Sequence, residues 1–506
     1  MKRMLLAAGL AALMAGTSGI ALAQTAGGGV LTVATIGEPP SLDVMQTPTD
    51  IVLTITQHIF ETLYIYDAEW QPQPLLAADM PEISEDGLTY RIPLREGVTF
   101  HDGSAFDSAD VVASLNRWME INSKGRQVAE VIETIEADGD NAVVVTLNSR
   151  YSPLLATFSQ GSPILPSETL GGELTDFIGT GPYRLQERRP DQYTQLVRFE
   201  DYVSPEGEPS NYAGRREAIA DEIRFVPVPD ANTRVEGLIA GQYDYADSLP
   251  VSAYERVEAA GNVEPVIFEN AGWTSLNMNM AEGPLTDKAL RQAVQVALNP
   301  SDMMLAAFSD ERFFAVDGAL FPEGFFWHTQ AGVERYGEGD PEAAAALMEE
   351  AGYDGTPIRI LTSRQYGFHY STGEVAKAYL EAAGFAVDLQ VVDWATLTTR
   401  RADKGQWDIF ITHSNFPGDP TTLNTITDTY PGWYTSEAKS QAVAAFMNAV
   451  TNEERFTAWE GIQSVIYEDA PLVKVGNFNA LGGLASGVSG YEPAYWPRFW
   501  NVAPRG

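Results

Sequence analysis

TPIRILTSRQYGFHYSTGEVAKAYLEAAGFAVDLQVVDWATLTTRRADKGQWDIFITHS, residues 356–414, is the stretch that decides the fold. Three short apolar, β-prone runs, at 358–361, 387–392 and 408–412, alternate with two segments of helical period, at 373–382 and 397–404. Strand and helix alternating at this spacing build right-handed βαβ crossovers and hence a parallel sheet. Ligands of open parallel sheets sit beyond the carboxyl ends of the strands. The segments at those ends are 363–368, Asp393-Trp394 and 413–420.

Working outward, two acidic helices are expected around 441–450 and 453–467, followed by a Gly- and aromatic-rich tail over 472–506. Upstream, an alternating strand ends in Glu282-Gly283-Pro284, which places a break between halves near 276–284. A second crossing falls near 475–483, and two lobes joined by two crossovers make a hinge. The first half reads as α+β with an inserted subdomain. Its strands are expected at 30–34, 88–94 and 141–147, with a long β-rich return over 183–199. A helix from about Asp50 shows Ile51, Ile55, Ile59 and Leu63 at i, i+4 spacing. Asp107 caps a second helix whose Val111, Leu115 and Trp118/Met119 form the buried stripe.

The 506 residues, 44% hydrophobic and 20% charged, allow roughly three folding units with real cores. A formal charge of −37 repels nucleic acid and anionic bilayers. With no cysteine and five scattered histidines, thiolate and helix-borne His-pair metal sites are absent from the sequence, and neither metal nor cofactor is expected. Residues 1–23 combine basic Lys2-Arg3, an apolar run from Met4 to Ala15 and the small-residue site Ala21-Leu22-Ala23, the pattern of a Sec-type signal peptide. No lipobox cysteine follows it, so a periplasmic protein without membrane insertion is expected, and as a monomer.

Catalytic signatures fail. G-x-S-x-G, Walker, G-x-G-x-x-G and H-E-x-x-H patterns are absent. Ser436-Glu437-Ala438-Lys439 has S-x-x-K spacing without its companion motifs, and Ser436 reads as a helix cap. Asp138-Gly139-Asp140-Asn141 reads as a hairpin turn rather than a calcium loop. The chain is expected to bind rather than catalyse.

Several stretches then line up with one family. Gly-Val-Thr-Phe-His-Asp-Gly at 97–103 with Phe106-Asp107-Ser108-Ala109-Asp110-Val111-Val112, Gly179-Thr180-Gly181-Pro182-Tyr183, Leu290-Arg291-Gln292-Ala293-Val294 and Ala351-Gly352-Tyr353 occur in its order. Together they resemble the family 5 solute-binding proteins of ABC importers, the oligopeptide-, dipeptide- and nickel-binding group. Asp393-Trp394, Arg400-Arg401 and the ending Phe499-Trp500-Asn501-Val502 resemble an opine- and agrocinopine-binding branch. The resemblance implies an α/β, two-lobe Venus-flytrap fold with an extra subdomain in the first lobe. The lobes are expected as 24–280, with the insertion at about 70–182, then 281–478, with 479–506 returning to the first lobe. Lobe closure would capture a small-molecule or peptide-like ligand and present it to an ABC permease.

Residue by residue, the transfer is uneven. Arg364-Gln365-Tyr366 matches the R-x-Y in which arginine grips a ligand carboxylate, which makes Arg364 and Tyr366 candidates and points to an anionic solute; a solvated loop arginine is the plainer alternative. Peptide binders place an Asp four residues before the Pro of a D/E-P pair to hold the α-ammonium. Here that position, counted from Asp419-Pro420, is Phe416, which accepts no bond from an ammonium. Ordinary peptides are therefore disfavoured unless Asp419 or another acid substitutes. His413 takes the place of a tryptophan and stands alone among cleft residues, which disfavours nickel. Asn415, Trp273, Trp394 and Glu38 complete the candidates: Trp273 either stacks on ligand or packs in the core, and Trp394 reads as core.

Overall fold

The chain crosses between its halves along two long antiparallel strands, Val263–Met278 and Leu472–Ala485. The computed structural model describes residues 28–506 except Glu338 and Pro417, and the leader expected over 1–23 lies outside the described residues. In chain order the strands are β1 (Val30–Thr35), β2 (Tyr64–Tyr66), β3 (Pro72–Pro74), β4 (Glu82–Ile83), β5 (Thr89–Pro93), β6 (Ile132–Ala137), β7 (Ala142–Leu147), β8 (Tyr183–Arg189), β9 (Tyr193–Arg198), β10 (Glu222–Pro227) and β11 (Tyr245–Leu249). They continue with β12 (Val263–Met278), β13 (Phe314–Ala315), β14 (Ile358–Ser363), β15 (Val387–Val392), β16 (Ile409–Ser414) and β17 (Leu472–Ala485).

Among the described residues one sheet runs through the molecule in the order β15-β14-β16-β12-β17-β11-β1-β10-β9-β8, with β13 on β17. The expected βαβ series is present, with helix Gly367–Ala383 between β14 and β15 and helix Trp394–Arg400 between β15 and β16. The expected parallel pairing is present for β15, β14 and β16, but the sheet is mixed: β16 meets β12 antiparallel, and parallel pairing returns at β11-β1-β10. Parallel pairing requires a crossover; here the chain enters along β12 and leaves along β17 instead.

Apolar residues on either side of this pair form separate cores. One gathers Leu31, Ile92, Val143, Phe225 and, from the tail, Leu484 and Phe499. Another gathers Leu276, Val294, Ile360, Leu380 and Ile411. Each such side chain contributes roughly 1.5–3 kcal/mol by leaving water. A second sheet, β4-β5-β7-β6, carries helix Ser108–Ile121. Asp107 and Asp110 close a capping box at its start, and Val111, Leu115 and Trp118 are buried. The turn at 138–141 joins β6 to β7, with Gly139 at φ +67°.

Local expectations shift where tertiary bonds take over. The helix expected over 50–63 ends at Thr56. Beyond it the carbonyls of His58, Ile59 and Glu61 accept from Tyr183, Gly181 and Ile164. Ile59 and Leu63 stay buried without a helix. The return over 183–199 is the β8–β9 hairpin, turned at Pro190-Asp191, where Asp191 adopts φ +58°. The helix expected from 373 begins at Gly367, and that expected from 397 begins at Trp394, where Asp393 accepts from the Thr396 N–H at 2.8 Å. Trp273 lies well inside β12.

Candidate functional site

The register between β12 and β17 breaks between Phe268 and Gly272, and Asn270 adopts φ +55° there. The two strands tie this point together by side chains: Asn270 N–H donates to Asn479 Oδ1 at 2.9 Å. Beside the break lies a cleft that takes residues from both sides. Its larger part, about 450 Å³, lies between Asp50, Trp70 and Trp496 on one side and Trp273, His413 and Phe416 on the other. A second part shares Asp50, His413, Asn415 and Tyr495 with it and runs on to Asp247, Tyr366, Phe478 and Tyr491. At the rim the sides touch. Trp70 stacks on Phe325 with centroids 5.6 Å apart, and Phe326 N–H donates to Glu69 O at 3.0 Å.

The cleft is aromatic, and its charge is of one sign. Of the Asp, Glu, Lys and Arg residues, those lining its two parts are Asp50 and Asp247. Asp50 begins helix Asp50–Thr56, and its carboxylate accepts from Trp496 Nε1 at 3.0 Å and Tyr495 OH at 3.2 Å. Asp247 lies in β11; burial pushes its carboxyl up from the usual range, Ser248 and the charge of Arg234 oppose the rise, and Asp50 adds to it. Neither carboxylate forms an ion pair with Lys or Arg among the described residues. Buried Arg234 serves the backbone here, donating to the carbonyls of Asp247 and Ser248.

His413 lines both parts of the cleft, and burial lowers its pKa, so its imidazole is neutral near pH 7. It does not stand alone. His369 Nε2 lies 3.0 Å from His413 Nδ1, and one proton is shared between them. Burial, then His413, brings His369 down to about 3. Tyr366, Phe368, Trp394 and Phe478 wall this pair. No group of three or more His, Cys, Asp or Glu poised for a metal occurs among the described residues.

The sequence-derived candidates divide into two sets. Trp273, Tyr366, His413, Asn415 and Phe416 line the cleft. Trp273 is buried and its indole donates to Asn415 O at 3.3 Å, so it is both wall and core. Trp394 stands one layer back, its ring edge against Tyr366. Arg364, Asp419 and Glu38 are engaged elsewhere. Arg364 is exposed and lies on Tyr370, 4.3 Å above its ring and 2.9 Å from its hydroxyl. Asp419 is buried in an ion pair with Arg455. Glu38 holds the β8–β9 hairpin, accepting from Arg188 at 2.9 Å and from the Asp191 N–H at 2.7 Å. Ser436 caps helix Glu437–Asn448, while the Lys439 ammonium reaches Asp428 at 2.5 Å.

Sequence reasoning missed Asp50, Asp247, Trp70, Tyr495 and Trp496. None of the five carried a local signal: Asp247 sits in the middle of β11 rather than beyond its carboxyl end.

Residues 71–434 match the model of the bacterial extracellular solute-binding proteins, family 5 Middle. The chain is 27% identical over 492 residues to the probable peptide ABC transporter periplasmic-binding protein y4tO of Sinorhizobium fredii, covering 91% of each. In fold it is similar to the periplasmic binding protein DppA of Helicobacter pylori in complex with the peptide STSA, with TM-score 0.74, 23% identity, and 96% and 99% of the two chains covered. It is also similar to the binding protein AgaA of A. tumefaciens R10 in complex with agropinic acid, with TM-score 0.72, 23% identity, and 94% and 99% covered. These are two-lobe binding-protein folds, and the chain belongs to the bacterial extracellular solute-binding proteins of family 5.

Proposed function

We propose that this protein is the periplasmic receptor of an ABC importer and captures a peptide-like or opine-like organic solute in the cleft between its lobes. The observation that carries this is the placement of the cleft. It is walled from both sides of the β12–β17 crossing, so rotation about that crossing opens and closes it. The lobes proposed are 24–280 and 281–478, with 479–506 returning to the first. No described helix is long and apolar enough to cross a membrane. The closed form would be recognised by a membrane permease, and the solute would leave unchanged. A side recess between Phe60, Ile65, Tyr66 and Leu75 opens beside Leu53 and Gln160, and suits an apolar group of the solute. Gripping an anionic group with Arg364 would require that side chain to leave Tyr370 and swing inward.

Native mass spectrometry of the protein from periplasmic extract tests this. A stoichiometric small solute is expected, released on denaturation. Saturating that solute at 100 times Kd adds about 2.7 kcal/mol of stability. An empty cleft, with no thermal shift across a library of peptides, opines and sugar phosphates, would overturn the receptor assignment.

A further inference from the structure

We propose that the ligand carries a positively charged nitrogen, an ammonium or guanidinium, and that Asp50 and Asp247 of the first lobe hold it. This rests on the receptor assignment and names the chemistry of its ligand. Four observations converge on it.

The first is charge. Of the Asp, Glu, Lys and Arg residues, those lining the two parts of the cleft are these two acids, and neither forms an ion pair among the described residues, although the charge of Arg234 acts on Asp247 from further off. A ligand cation placed between two carboxylates in a cleft is attracted by both. Burial raises the pKa of Asp247 against the opposing pull of Ser248 and Arg234, and Asp50 adds to the rise.

The second is aim. Tyr495 and Trp496 both donate to Asp50, which fixes its carboxylate at the junction of the two cleft parts while leaving lone pairs free. Asp50 therefore faces whatever spans that junction.

The third is the wall. Trp70, Tyr366, Tyr491, Tyr495 and Trp496 present rings to the same space. Ring faces attract cations most strongly where water is excluded.

The fourth is that the second lobe offers no competing grip of either sign. Phe416 occupies the position of the family's amine-holding acid, and Asp419 is taken by Arg455. Arg364 lies on Tyr370, His413 is neutral, and Lys474 lies behind Phe416 with its ammonium on Ala319 O. The cation is thus held from the lobe opposite to the family's usual anchor.

Calorimetric titration of the purified protein tests the proposal with two sets of probes. The cationic set is Ala-Ala-Ala, agmatine and spermidine; the blocked or anionic set is N-acetyl-Ala-Ala-Ala and glucose 1-phosphate. A cationic probe is expected to bind, and blocking its nitrogen should weaken binding at least ~30-fold, about 2 kcal/mol. Asp50→Asn and Asp247→Asn should each weaken the cationic probe by a similar factor. Asparagine keeps an acceptor for Trp496, and circular dichroism checks the fold. The acetylated pair, titrated into the unmodified protein, decides the matter even where a variant misfolds. If the blocked or anionic set binds as tightly as the cationic one, or both variants bind unchanged, the carboxylate anchor is refuted while the receptor stands. If neither set binds and no solute co-purifies, both fail.

Discussion

Replacing Asp419 by alanine separates two roles that the Asp-Pro pair at 419–420 leaves open, a grip on ligand and a buried strut. The carboxylate is 1% exposed and its Arg455 partner 9%. One oxygen takes the guanidinium; the other accepts from the Thr421 N–H at 2.9 Å and caps the turn that follows. Arg455 is held further by Ser152 Oγ at 3.2 Å and by the rings of Trp327 and Phe446, each 4.9 Å from its charged carbon. It cannot follow a lost partner into water. Removing one member of such a pair leaves a buried, uncompensated charge and costs about 3–5 kcal/mol.

A lobe of about 200 residues has an unfolding entropy near 0.4 kcal/mol/K, so a loss of about 4 kcal/mol lowers its Tm by about 10 °C. If both lobes unfold as one unit, the larger entropy reduces the shift to about 4 °C. Differential scanning calorimetry of the ligand-free protein reads either case. Asp419→Ala with Arg455→Met should recover much of the loss, because an apolar pair replaces the orphaned guanidinium. Ligand affinity of the folded variant should stay within a few-fold of the parent. A shift under 1 °C together with lost ligand binding would place Asp419 in the ligand's reach and refute the strut.

Phe325→Ala removes the ring that stacks on Trp70 across the rim; an aromatic pair is worth ~0.5–1.5 kcal/mol, so Kd should rise about 2–10-fold, mostly through faster dissociation seen by stopped-flow. Lys474, buried, is brought from 10.5 down to about 7 by desolvation. Below pH 7 folded and unfolded chains both hold the proton and the folded state carries the full burial cost. From pH 7 to 10.5 the unfolded chain binds more protons, so stability rises with pH. Lys474→Met should therefore stabilise most at pH 7 and progressively less toward pH 10, and a gain independent of pH in urea melts would contradict the burial cause. At the crossing, a Cβ on Gly272 would meet the Phe478 ring at 2.6 Å and Ser414 O at 2.7 Å. Gly272→Ala should cost about 1–3 kcal/mol in denaturant unfolding, and an unchanged midpoint would mean that this crossing gives way freely.

What was legible in the sequence and what was not follows the distance over which each feature is decided. The βαβ run over 356–414 was legible because period, cap and break are all local; Asp393 caps its own helix three residues on. The antiparallel seam of β12 with β16 was not legible, since it joins segments more than a hundred residues apart with no crossover to mark it. The site divides in the same way. The inability of Phe416 to accept a bond can be read from one residue. The positions of Arg364, Asp419 and Glu38 cannot, because each lies against a partner that one stretch of sequence does not reveal: Tyr370 on the helix that follows, Arg455 and Arg188. Asp50 and Asp247 show the converse. In Pro48-Thr49-Asp50 and Tyr245-Ala246-Asp247 they look like a helix start and an ordinary strand position, and the tail residues Tyr495 and Trp496 hold Asp50 at the cleft. A carboxylate becomes a candidate anchor when the fold withholds a basic partner from it. In a chain with 69 acids and 32 lysines and arginines most acids must go unpaired, so lack of a partner alone selects nothing. Their place in the lining of an aromatic cleft is the condition that singles out these two.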